Sequence, residues 1–273
     1  MGSDTNFTAM HSIAPAGQAI GLVNLGSDPK KTIDFISDAH LQASDPLTFT
    51  AWQRYMQTTP ADAVFMLGDL FEVWVGDDVL DQRGFEYQCA QVIKQTASRV
   101  PTFFMHGNRD FLVGVSLMDA CNITLLADPT VLSFNQQRWL LSHGDALCTS
   151  DVDYMQFRQL VRSSQWQQVF LAKPLTERQA IARGLRQQSQ IQHVARQRSG
   201  AEYADVDTNT ARQWLEQAKS ATLIHGHTHK PATHDLGDGL QRVVLSDWDA
   251  AATPQRAEVL RLSEQGLQRI GLI

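Results

Sequence analysis

Five short apolar runs along the chain each end in a polar segment, and four of these segments contain glycine. The runs are TIDFISDAH (32–40), AVFMLGDLFE (63–72), TFFMHGNRD (102–110), RWLLSHGD (138–145) and TLIHGHTH (222–229). A short apolar run bounded by turn residues predicts a buried β-strand. Amphipathic spacing predicts helices near 47–57 and 84–98, between the first three runs. This β-α-β-α-β order predicts an α/β sheet that binds ligands beyond the carboxyl ends of its strands.

The C-terminal part of the chain changes this rhythm. RVVLSDW (242–248), AEVLRL (257–262) and LQRIGLI (267–273) predict strands without long helices between them, which favours a mixed sheet or two packed sheets. Residues from about 151 to 200 predict a helical insertion. Residues 1–30 are small, polar and aperiodic, and predict a leader without fixed structure. The sequence therefore predicts one domain over 31–273 with a helical insertion.

Composition excludes several classes of protein. The 273 residues are 43% hydrophobic and 19% charged, which is typical of a soluble globular protein. A net charge of -6 argues against binding nucleic acid by bulk phosphate neutralisation. The three cysteines are widely spaced and include no C-x-x-C pair, which argues against a disulfide framework or a zinc ribbon and favours a reducing cytoplasm. No apolar run approaches the ~18 residues of a membrane span.

Three histidines, His225, His227 and His229, alternate along the last of the five apolar runs. Alternate side chains of an extended chain project to the same side, so these imidazoles are expected to converge. Turn formation and helix capping explain Asp and Asn at strand ends, but they do not explain His. The ends of the five runs together supply seven candidate metal ligands: Asp38, His40, Asp69, Asn108, His143, His225 and His227.

The chemistry of this set predicts a catalytic metal centre. Carboxylate, amide and imidazole groups without a thiolate favour Mn, Fe, Co or Zn in an open site. Seven ligands are too many for one ion and suit two ions that share a carboxylate. Two divalent cations facing only Asp38 and Asp69 retain positive charge, so the site favours an anion. The predicted reaction is hydrolysis of a phosphoester or phosphoanhydride.

The motif series D-x-H, G-D, G-N, H-G-D and G-H-x-H, from Thr32 onward, resembles that of the calcineurin-like metallophosphoesterases. SDAHL, GDLFEVWVGDD, HGNRDFL, SHGDALCTSD, IHGHTHKP and RVVLSDW are similar to segments of the UDP-2,3-diacylglucosamine diphosphatases of lipid A biosynthesis. Arg109 in GNRD stands where most of the superfamily has histidine. The resemblance implies an αββα sandwich of two mixed sheets with a helical substrate cap at about 151–200.

The resemblance also implies an activity. The expected enzyme hydrolyses the diphosphate bond of UDP-2,3-diacylglucosamine, releasing UMP and 2,3-diacylglucosamine 1-phosphate, through a hydroxide activated by two Mn²⁺ ions. It would be cytoplasmic, attached peripherally to an anionic inner-membrane surface, with no nucleic acid and no obligate protein partner. A different binuclear phosphoesterase and a non-catalytic scaffold on the same fold are the alternatives, although a scaffold does not need all seven ligands.

Individual roles follow from the same resemblance. One ion is expected on Asp38, His40, Asp69 and His227, and the other on Asp69, Asn108, His143 and His225, with Asp69 bridging and His229 pointing past the metals. The expected catalytic residues are Asn108 and Arg109. Expected substrate contacts are Asn108, Arg109, Asp151, Ser189, Arg198 and His225. Two alternatives stay open: a surface salt bridge from Arg109 to Asp110, and Asp145 as either a ligand-orienting residue or a helix cap.

The insertion is basic and apolar within an acidic protein. Its cations are Arg158, Arg162, Lys173, Arg178, Arg183, Arg186, Arg196 and Arg198. Its interleaved apolar residues include Trp166, Val169, Phe170, Leu171, Leu175, Ile181 and Leu185. Helices of this composition are expected to face acyl chains or an anionic membrane surface. The alternative is an ordinary helical pair packed on the core.

Overall fold

The computed structural model describes residues 20–198 and 205–273, with side chains described to residue 187 and from 205 onward. The strands are β1 (Gly21–Asn24), β2 (Ile33–Ile36), β3 (Ala63–Leu67), β4 (Thr102–Met105), β5 (Thr124–Leu126), β6 (Thr130–Phe134), β7 (Gln137–Leu141), β8 (Thr222–His225), β9 (Thr233–Gly237), β10 (Leu240–Val244), β11 (Glu258–Ser263) and β12 (Gly266–Gly271). The α-helices are α1 (Pro46–Thr58), α2 (Phe85–Ala97), α3 (Val115–Cys121), α4 (Val152–Val161), α5 (Ser164–Leu171), α6 (Leu175–Arg198) and α7 (Thr208–Ala218). Short 3₁₀ helices cover Asp77–Gln82 and Asp145–Leu147.

Two six-stranded mixed sheets form the centre of the fold. One has the order β12-β11-β2-β3-β4-β5. Strands β2 to β5 are parallel to one another, and β11 is antiparallel to both of its neighbours, β2 and β12. The other has the order β1-β6-β7-β8-β10-β9. All five predicted strands that end in candidate ligands are present, as are both helices predicted between the first three. The expected sandwich of two mixed sheets is confirmed.

Alternation along the strands explains how the layers pack. Phe35, Phe65 and Phe103 face the second sheet, and Phe65 stacks on Phe103 at a centroid distance of 4.4 Å. Their neighbours Ile36 and Phe104 face the opposite way and pack against the helices α1, α2 and α3. The strands are buried on both faces, which is why they read as continuous apolar runs in the sequence. Helix α7 covers the outer face of the second sheet.

The leader prediction is wrong for residues 21–24. These residues form β1, which pairs parallel with β6 at the edge of its sheet. Val23 is buried between the sheets, and Ile20 packs on the other face. Four residues are too few to show the alternation of apolar and polar positions that predicts a strand. The partner strand also lies about a hundred residues further along the chain, so the local sequence did not predict β1. Residues 1–19 lie outside the described residues.

A buried carboxylate ties the first sheet to its covering helix. Asp34 is fully buried in β2. It accepts hydrogen bonds from Tyr55 Oη at 3.1 Å and Thr59 Oγ1 at 3.0 Å, at the end of α1. Arg261 of β11 donates to both carboxylate oxygens, from Nε at 2.7 Å and Nη2 at 2.8 Å. Four donors satisfy the carboxylate, and their removal would leave buried groups without partners.

We predict that Asp34→Asn destabilises the fold by about 3 kcal/mol, because a half-buried guanidinium loses its charged partner while the side-chain shape is kept. The measurement is the urea unfolding midpoint followed by circular dichroism. Asp238→Asn is the matched control, since Asp238 also pairs with an arginine, Arg212, but is 82% exposed. Equal midpoints for the two variants would contradict a structural role for the Asp34 cluster.

Candidate metal centre

The loops that follow β2, β3, β4, β7 and β8 meet at one end of the two sheets. Backbone hydrogen bonds lock them together: Asp38 N donates to Gly68 O at 3.0 Å, and His40 N donates to Asp69 O at 3.0 Å. The loop after β8 is held to the loop after β7 by Gly226 N donating to His143 O at 2.9 Å. The predicted convergence of the strand ends is therefore present in the structure.

Five side chains at this junction sit on backbone in the left-handed region. Their φ angles are 52° at Asp38, 45° at His40, 51° at Asp69, 67° at His227 and 53° at His229. Non-glycine residues rarely adopt this conformation, and clusters of such residues are typical of functional sites. The backbone turns sharply at each position, which directs consecutive polar side chains toward a common centre.

Two glycines permit the close approach of the loops. A Cβ at Gly226 would overlap the Asp38 carboxylate and the Ser37 side chain. A Cβ at Gly107 would overlap both the carboxylate and the backbone N of Asp69. The glycines of the G-N and G-H motifs are therefore required because neighbouring loops pack directly against their backbone.

One group of polar side chains consists of Asp38, His40 and His229. His229 Nε2 lies 3.3 Å from Asp38 Oδ1 and 3.2 Å from His40 Nε2. His40 Nε2 lies 4.0 Å from Asp38 Oδ1. Potential ligand atoms of all three residues lie within 4.8 Å of one another.

A second group lies beside the first and consists of Asp69, Asn108, His143 and His227. Asn108 Oδ1 lies 3.0 Å from His143 Nε2 and 2.9 Å from His227 Nδ1. Asp69 Oδ1 lies 3.7 Å from His143 Nε2. His143 Nδ1 donates to Leu67 O at 2.9 Å, because a carbonyl can only accept, and this contact directs Nε2 into the site.

His225, which the sequence predicted as a metal ligand and substrate contact, lies outside both groups. Its ring is fully buried, with Nδ1 2.9 Å from Gly226 O and Nε2 3.4 Å from Arg242 Nη1. A carbonyl lies beside one ring nitrogen and a guanidinium beside the other. The assignment of His225 as a metal ligand and substrate contact stays a prediction, and His229, predicted to point past the metals, lies beside Asp38 and His40.

The three histidines lie apart because β8 ends at His225. Alternate side chains share one side only while the chain is extended, and His227 and His229 lie beyond the strand in left-handed conformations. His227 therefore lies beside Asn108, and His229 lies beside Asp38 and His40.

The donor set fits divalent metal ions. Asp38, Asp69 and His143 form a second triple whose potential ligand atoms all lie within 4.8 Å of one another. The groups offer carboxylate oxygens, an amide oxygen and imidazole nitrogens, with no thiolate, which suits Mn²⁺, Fe²⁺, Co²⁺ or Zn²⁺. A cluster of this density at strand ends, held on strained backbone, has the chemistry of a two-ion site.

The pKa values of the site residues reflect this crowding of charged and buried groups. Burial raises the pKa of Asp38, but the hydrogen bond and charge of His229 outweigh it and hold that pKa well below its ordinary value. Burial lowers the pKa of His143, but Asp69, Asp38 and Asp145 outweigh it and raise the pKa to about 9. Burial and the neighbouring His143 lower the pKa of His227 to about 4.

Arg109 faces the site and not Asp110. Its Nε lies 3.9 Å from Asp69 Oδ2, and its side chain is 27% exposed. Asp110 is fully buried and accepts backbone hydrogen bonds from Gly107 at 2.8 Å and Leu70 at 2.8 Å. The alternative of a surface Arg109–Asp110 salt bridge is therefore wrong, and Asp110 instead fixes the loops after β3 and β4 to each other.

Asp145 anchors helix α4 beside the metal groups. This buried carboxylate accepts from Tyr154 Oη at 2.7 Å and Arg158 Nε at 2.7 Å, while Arg162 Nη2 lies at 3.4 Å. Burial raises its pKa, but Arg162 and Arg158 outweigh it and hold the pKa well below the usual range. Arg162 also donates to Gly107 O at 2.9 Å. Asp145 therefore neither caps α4 nor contacts a site histidine by hydrogen bonding.

Tyr154 brings α4 over the site itself, since its ring stacks on His227 at a centroid distance of 5.9 Å. Asp151 caps the helix by accepting from Tyr154 N at 3.2 Å. The side chains of Ser189 and Arg198, the other two predicted substrate contacts in the insertion, lie outside the described residues. None of the three residues that contact Asp145, which are Tyr154, Arg158 and Arg162, was assigned this role from the sequence, because an isolated Tyr or Arg in a helix carries no motif.

The apolar residues of the insertion divide into two sets. Phe170 is buried against the main core, and Trp166, Leu175 and Ile181 pack partly against it. A second set is exposed: Val152, Phe157, Leu160, Val169, Leu171 and Leu185. The alternative of helices packed on the core therefore describes the first set, which includes Phe170, and contact of the insertion with acyl chains stays a prediction.

Most described cations of the insertion are paired. Arg158 and Arg162 pair with Asp145, Lys173 pairs with Glu177, Arg178 pairs with Asp78, and Arg186 pairs with Glu72. Acidic residues outside the insertion thus balance much of the charge that looks unpaired in the sequence. Among the described cations of the insertion, Arg183 alone has no described carboxylate within 4 Å.

Comparisons with known proteins identify the family of this chain. The family model of the calcineurin-like phosphoesterases matches residues 31–231. The UDP-2,3-diacylglucosamine hydrolase of Chromobacterium violaceum is 42% identical over 248 residues, covering 88% of this chain and 98% of that protein. The hydrolase of the same name from Aeromonas hydrophila is 39% identical, covering 88% and 98%. The chain belongs to the calcineurin-like phosphoesterases and, within them, to the group of these hydrolases.

We predict that His225→Gln removes about one metal ion per chain, because it takes away a predicted nitrogen ligand of the second ion. His229→Gln should keep the wild-type metal content, since His229 is predicted to point past the metals. Metal content after dialysis, measured by plasma mass spectrometry, distinguishes the two variants. Loss of metal from His229→Gln with retention by His225→Gln would contradict the predicted ligand set and favour the group formed by Asp38, His40 and His229.

Proposed function

We propose that this protein hydrolyses the diphosphate bond of UDP-2,3-diacylglucosamine, releasing UMP and 2,3-diacylglucosamine 1-phosphate in lipid A biosynthesis. The observation that carries the proposal is the dense cluster of carboxylates, histidines and one amide beneath a helical insertion with exposed apolar side chains. The names of relatives at 39–42% identity support the same substrate. The insertion at about 151–200 is the proposed substrate cap.

Two Mn²⁺ ions are the proposed cofactors. Asp38, His40, Asp69 and His227 would hold one, and Asp69, Asn108, His143 and His225 the other. Asp69 is the proposed bridge, because its ligand atom lies within 4.8 Å of those of Asp38 and His143, one from each group. When bound, such ions neutralise phosphate oxygens and supply a water molecule of lowered pKa as the nucleophile.

Arg109 is the proposed contact for the diphosphate. Arg109 lies outside the insertion, and its Nε is 3.9 Å from Asp69 Oδ2. Its guanidinium presents parallel donors that match phosphate oxygens. Asn108, beside it in sequence, is proposed to position the same group through its amide. Asp151, Ser189, Arg198 and His225 stay proposed substrate contacts from the resemblance.

The exposed apolar residues of the insertion are the proposed lipid contact. Leu160 of α4 is 57% exposed and Val169 of α5 is 63% exposed. Apolar residues on helices beside paired arginines suit acyl chains at a membrane interface. No helix in the described part of the chain is long and apolar enough to cross a bilayer. We propose peripheral attachment to the cytoplasmic face of the inner membrane.

The direct test is an assay of purified protein with UDP-2,3-diacylglucosamine in detergent micelles. We expect UMP and the acylated sugar phosphate to appear with Mn²⁺ and to disappear with chelator. The deacylated nucleotide sugar should react much more slowly. Equal turnover of both would assign the site to a general phosphoesterase, and no turnover with metal-loaded protein would reject the proposed reaction.

For Arg109 we predict a loss of ~100-fold in kcat on Arg109→Lys, because a lysine lacks the paired donors that stabilise charge on the phosphates. Metal content should stay at the wild-type value. Arg54→Lys, on the exposed side of α1, is the control for a general effect of the substitution. An Arg109→Lys enzyme with unchanged kcat would show that Arg109 only shields Asp69.

For the lipid contact we predict that Leu160→Asp with Val169→Asp raises KM for the acylated substrate about tenfold, since each buried methylene contributes ~0.8 kcal/mol. Turnover of bis(4-nitrophenyl) phosphate, which has no acyl chain, should not change. Val115→Asp provides the control, because Val115 is 72% exposed but lies on α3 outside the insertion. Similar KM values for both variants would exclude these residues from lipid binding.

A further inference from the structure

Glu72 stands out among the charged residues near the metal groups. It belongs to no predicted ligand set, yet its side chain is only 17% exposed and lies between a site histidine and the helical insertion. Its Oε2 lies 3.2 Å from His40 Nδ1, and its Oε1 pairs with the guanidinium of Arg186 on α6.

The backbone fixes Glu72 beside His40. The loops after β2 and β3 continue to pair beyond the sheet: His40 N donates to Asp69 O at 3.0 Å, and Leu41 N donates to Leu70 O at 2.8 Å. Glu72 N then donates to Leu41 O at 3.1 Å, while Leu41 and Phe71 form an isolated parallel bridge. Residues more than thirty positions apart in sequence are thus held in register.

The contact engages the ring nitrogen that faces away from the metal group. His40 Nε2 faces Asp38 and His229, whereas Nδ1 is buried and has no hydrogen-bond partner among the described residues. Glu72 is the only described carboxylate within 4 Å of Nδ1. A carboxylate beside Nδ1 favours the tautomer that carries its hydrogen there and leaves the Nε2 lone pair free for a metal.

The other histidine of the first group has a different support. His229 Nδ1 lies 3.9 Å from Asp247 Oδ2, and Asp247 accepts from Arg256 Nη2 at 3.0 Å. Both of these residues lie in the segment between β10 and β11, outside the insertion. Of the two carboxylates behind the first group's histidines, only Glu72 therefore pairs with an arginine from the insertion.

We propose that Glu72 is a positioning residue that orients His40 for metal binding and links the metal centre to α6 through Arg186. Binding of a metal ion at His40 then stabilises the contact between Arg186 of α6 and Glu72. This contact in turn stabilises the orientation of His40, because coupling between two sites is reciprocal. The inference rests on the proposed metal centre but not on the proposed substrate.

The chain contains a matched control for this link. Arg178, also on α6, donates to Val75 O and pairs with Asp78. The Arg178–Asp78 pair holds the same helix to the same side of the core, but no site histidine lies within 4 Å of Asp78 in the described structure. Asp78→Asn therefore removes a salt bridge to α6 without touching the support of His40.

The test measures Mn²⁺ affinity by equilibrium dialysis, and hydrogen exchange of the helical segment 175–187 with and without Mn²⁺. Glu72→Gln should weaken binding of one Mn²⁺ ion by ~10- to 100-fold and abolish Mn²⁺-dependent protection of the segment. Arg186→Met should abolish that protection with a much smaller change in affinity. Asp78→Asn should retain both wild-type affinity and Mn²⁺-dependent protection.

Wild-type Mn²⁺ affinity in a folded Glu72→Gln protein would reject the positioning role. Mn²⁺-dependent protection that survives in Arg186→Met, or that disappears in Asp78→Asn, would reject the specific link to α6. If Glu72→Gln does not fold, as judged by circular dichroism, the comparison of Arg186→Met with Asp78→Asn decides the link. Binding of Mn²⁺ without hydrolysis of the nucleotide sugar would refute the proposed function. The affinity and hydrogen-exchange measurements would still test the role of Glu72, because neither depends on hydrolysis.

Discussion

The burial of the Asp38 carboxylate is the constraint on which the site depends. This side chain is fully buried at the end of β2, and its cost of desolvation must be offset by nearby donors or cations. His227 N donates to it at 3.0 Å, and His229 Nε2 lies 3.3 Å away. Both partners come from the loop after β8 in the other sheet. Satisfying one carboxylate therefore joins the two sheets at the catalytic edge.

The same junction explains why strained backbone persists there. Left-handed φ angles at five site residues are unfavourable individually, but loop-to-loop hydrogen bonds and close glycine contacts hold each one. A divalent ion placed between the carboxylates and histidines would relieve the crowding of like groups. The fold thus stabilises a metal-binding arrangement, and α4, α5 and α6 add a second layer of contacts around it.

Much of this could be predicted from the sequence. The strands that end in Asp38, Asp69, Asn108 and His143 are recognisable because each combines a continuous apolar run with a polar turn. The separation of His225, His227 and His229 was not predictable from alternation, since β8 ends at His225. The turns at His227 and His229 that separate them depend on tertiary packing against Asp38.

The insertion shows a different limit of sequence reasoning. Its cations looked unpaired because Asp78, Glu72 and Asp145, their partners, lie outside it in the chain. Phe170 looked equivalent to Val169 although only the latter is exposed. Composition therefore predicted an amphipathic insertion, but the division between core-facing and solvent-facing residues required the three-dimensional arrangement of α4, α5 and α6.

Anomalous diffraction at the manganese edge, recorded from crystals loaded with Mn²⁺, is the most direct measurement of the proposed centre. We expect two peaks about 3.5–4 Å apart, one beside Asp38, His40 and His227 and the other beside Asn108, His143 and His225, with Asp69 between them. A single peak, or two peaks that share no carboxylate, would contradict the proposed two-ion centre.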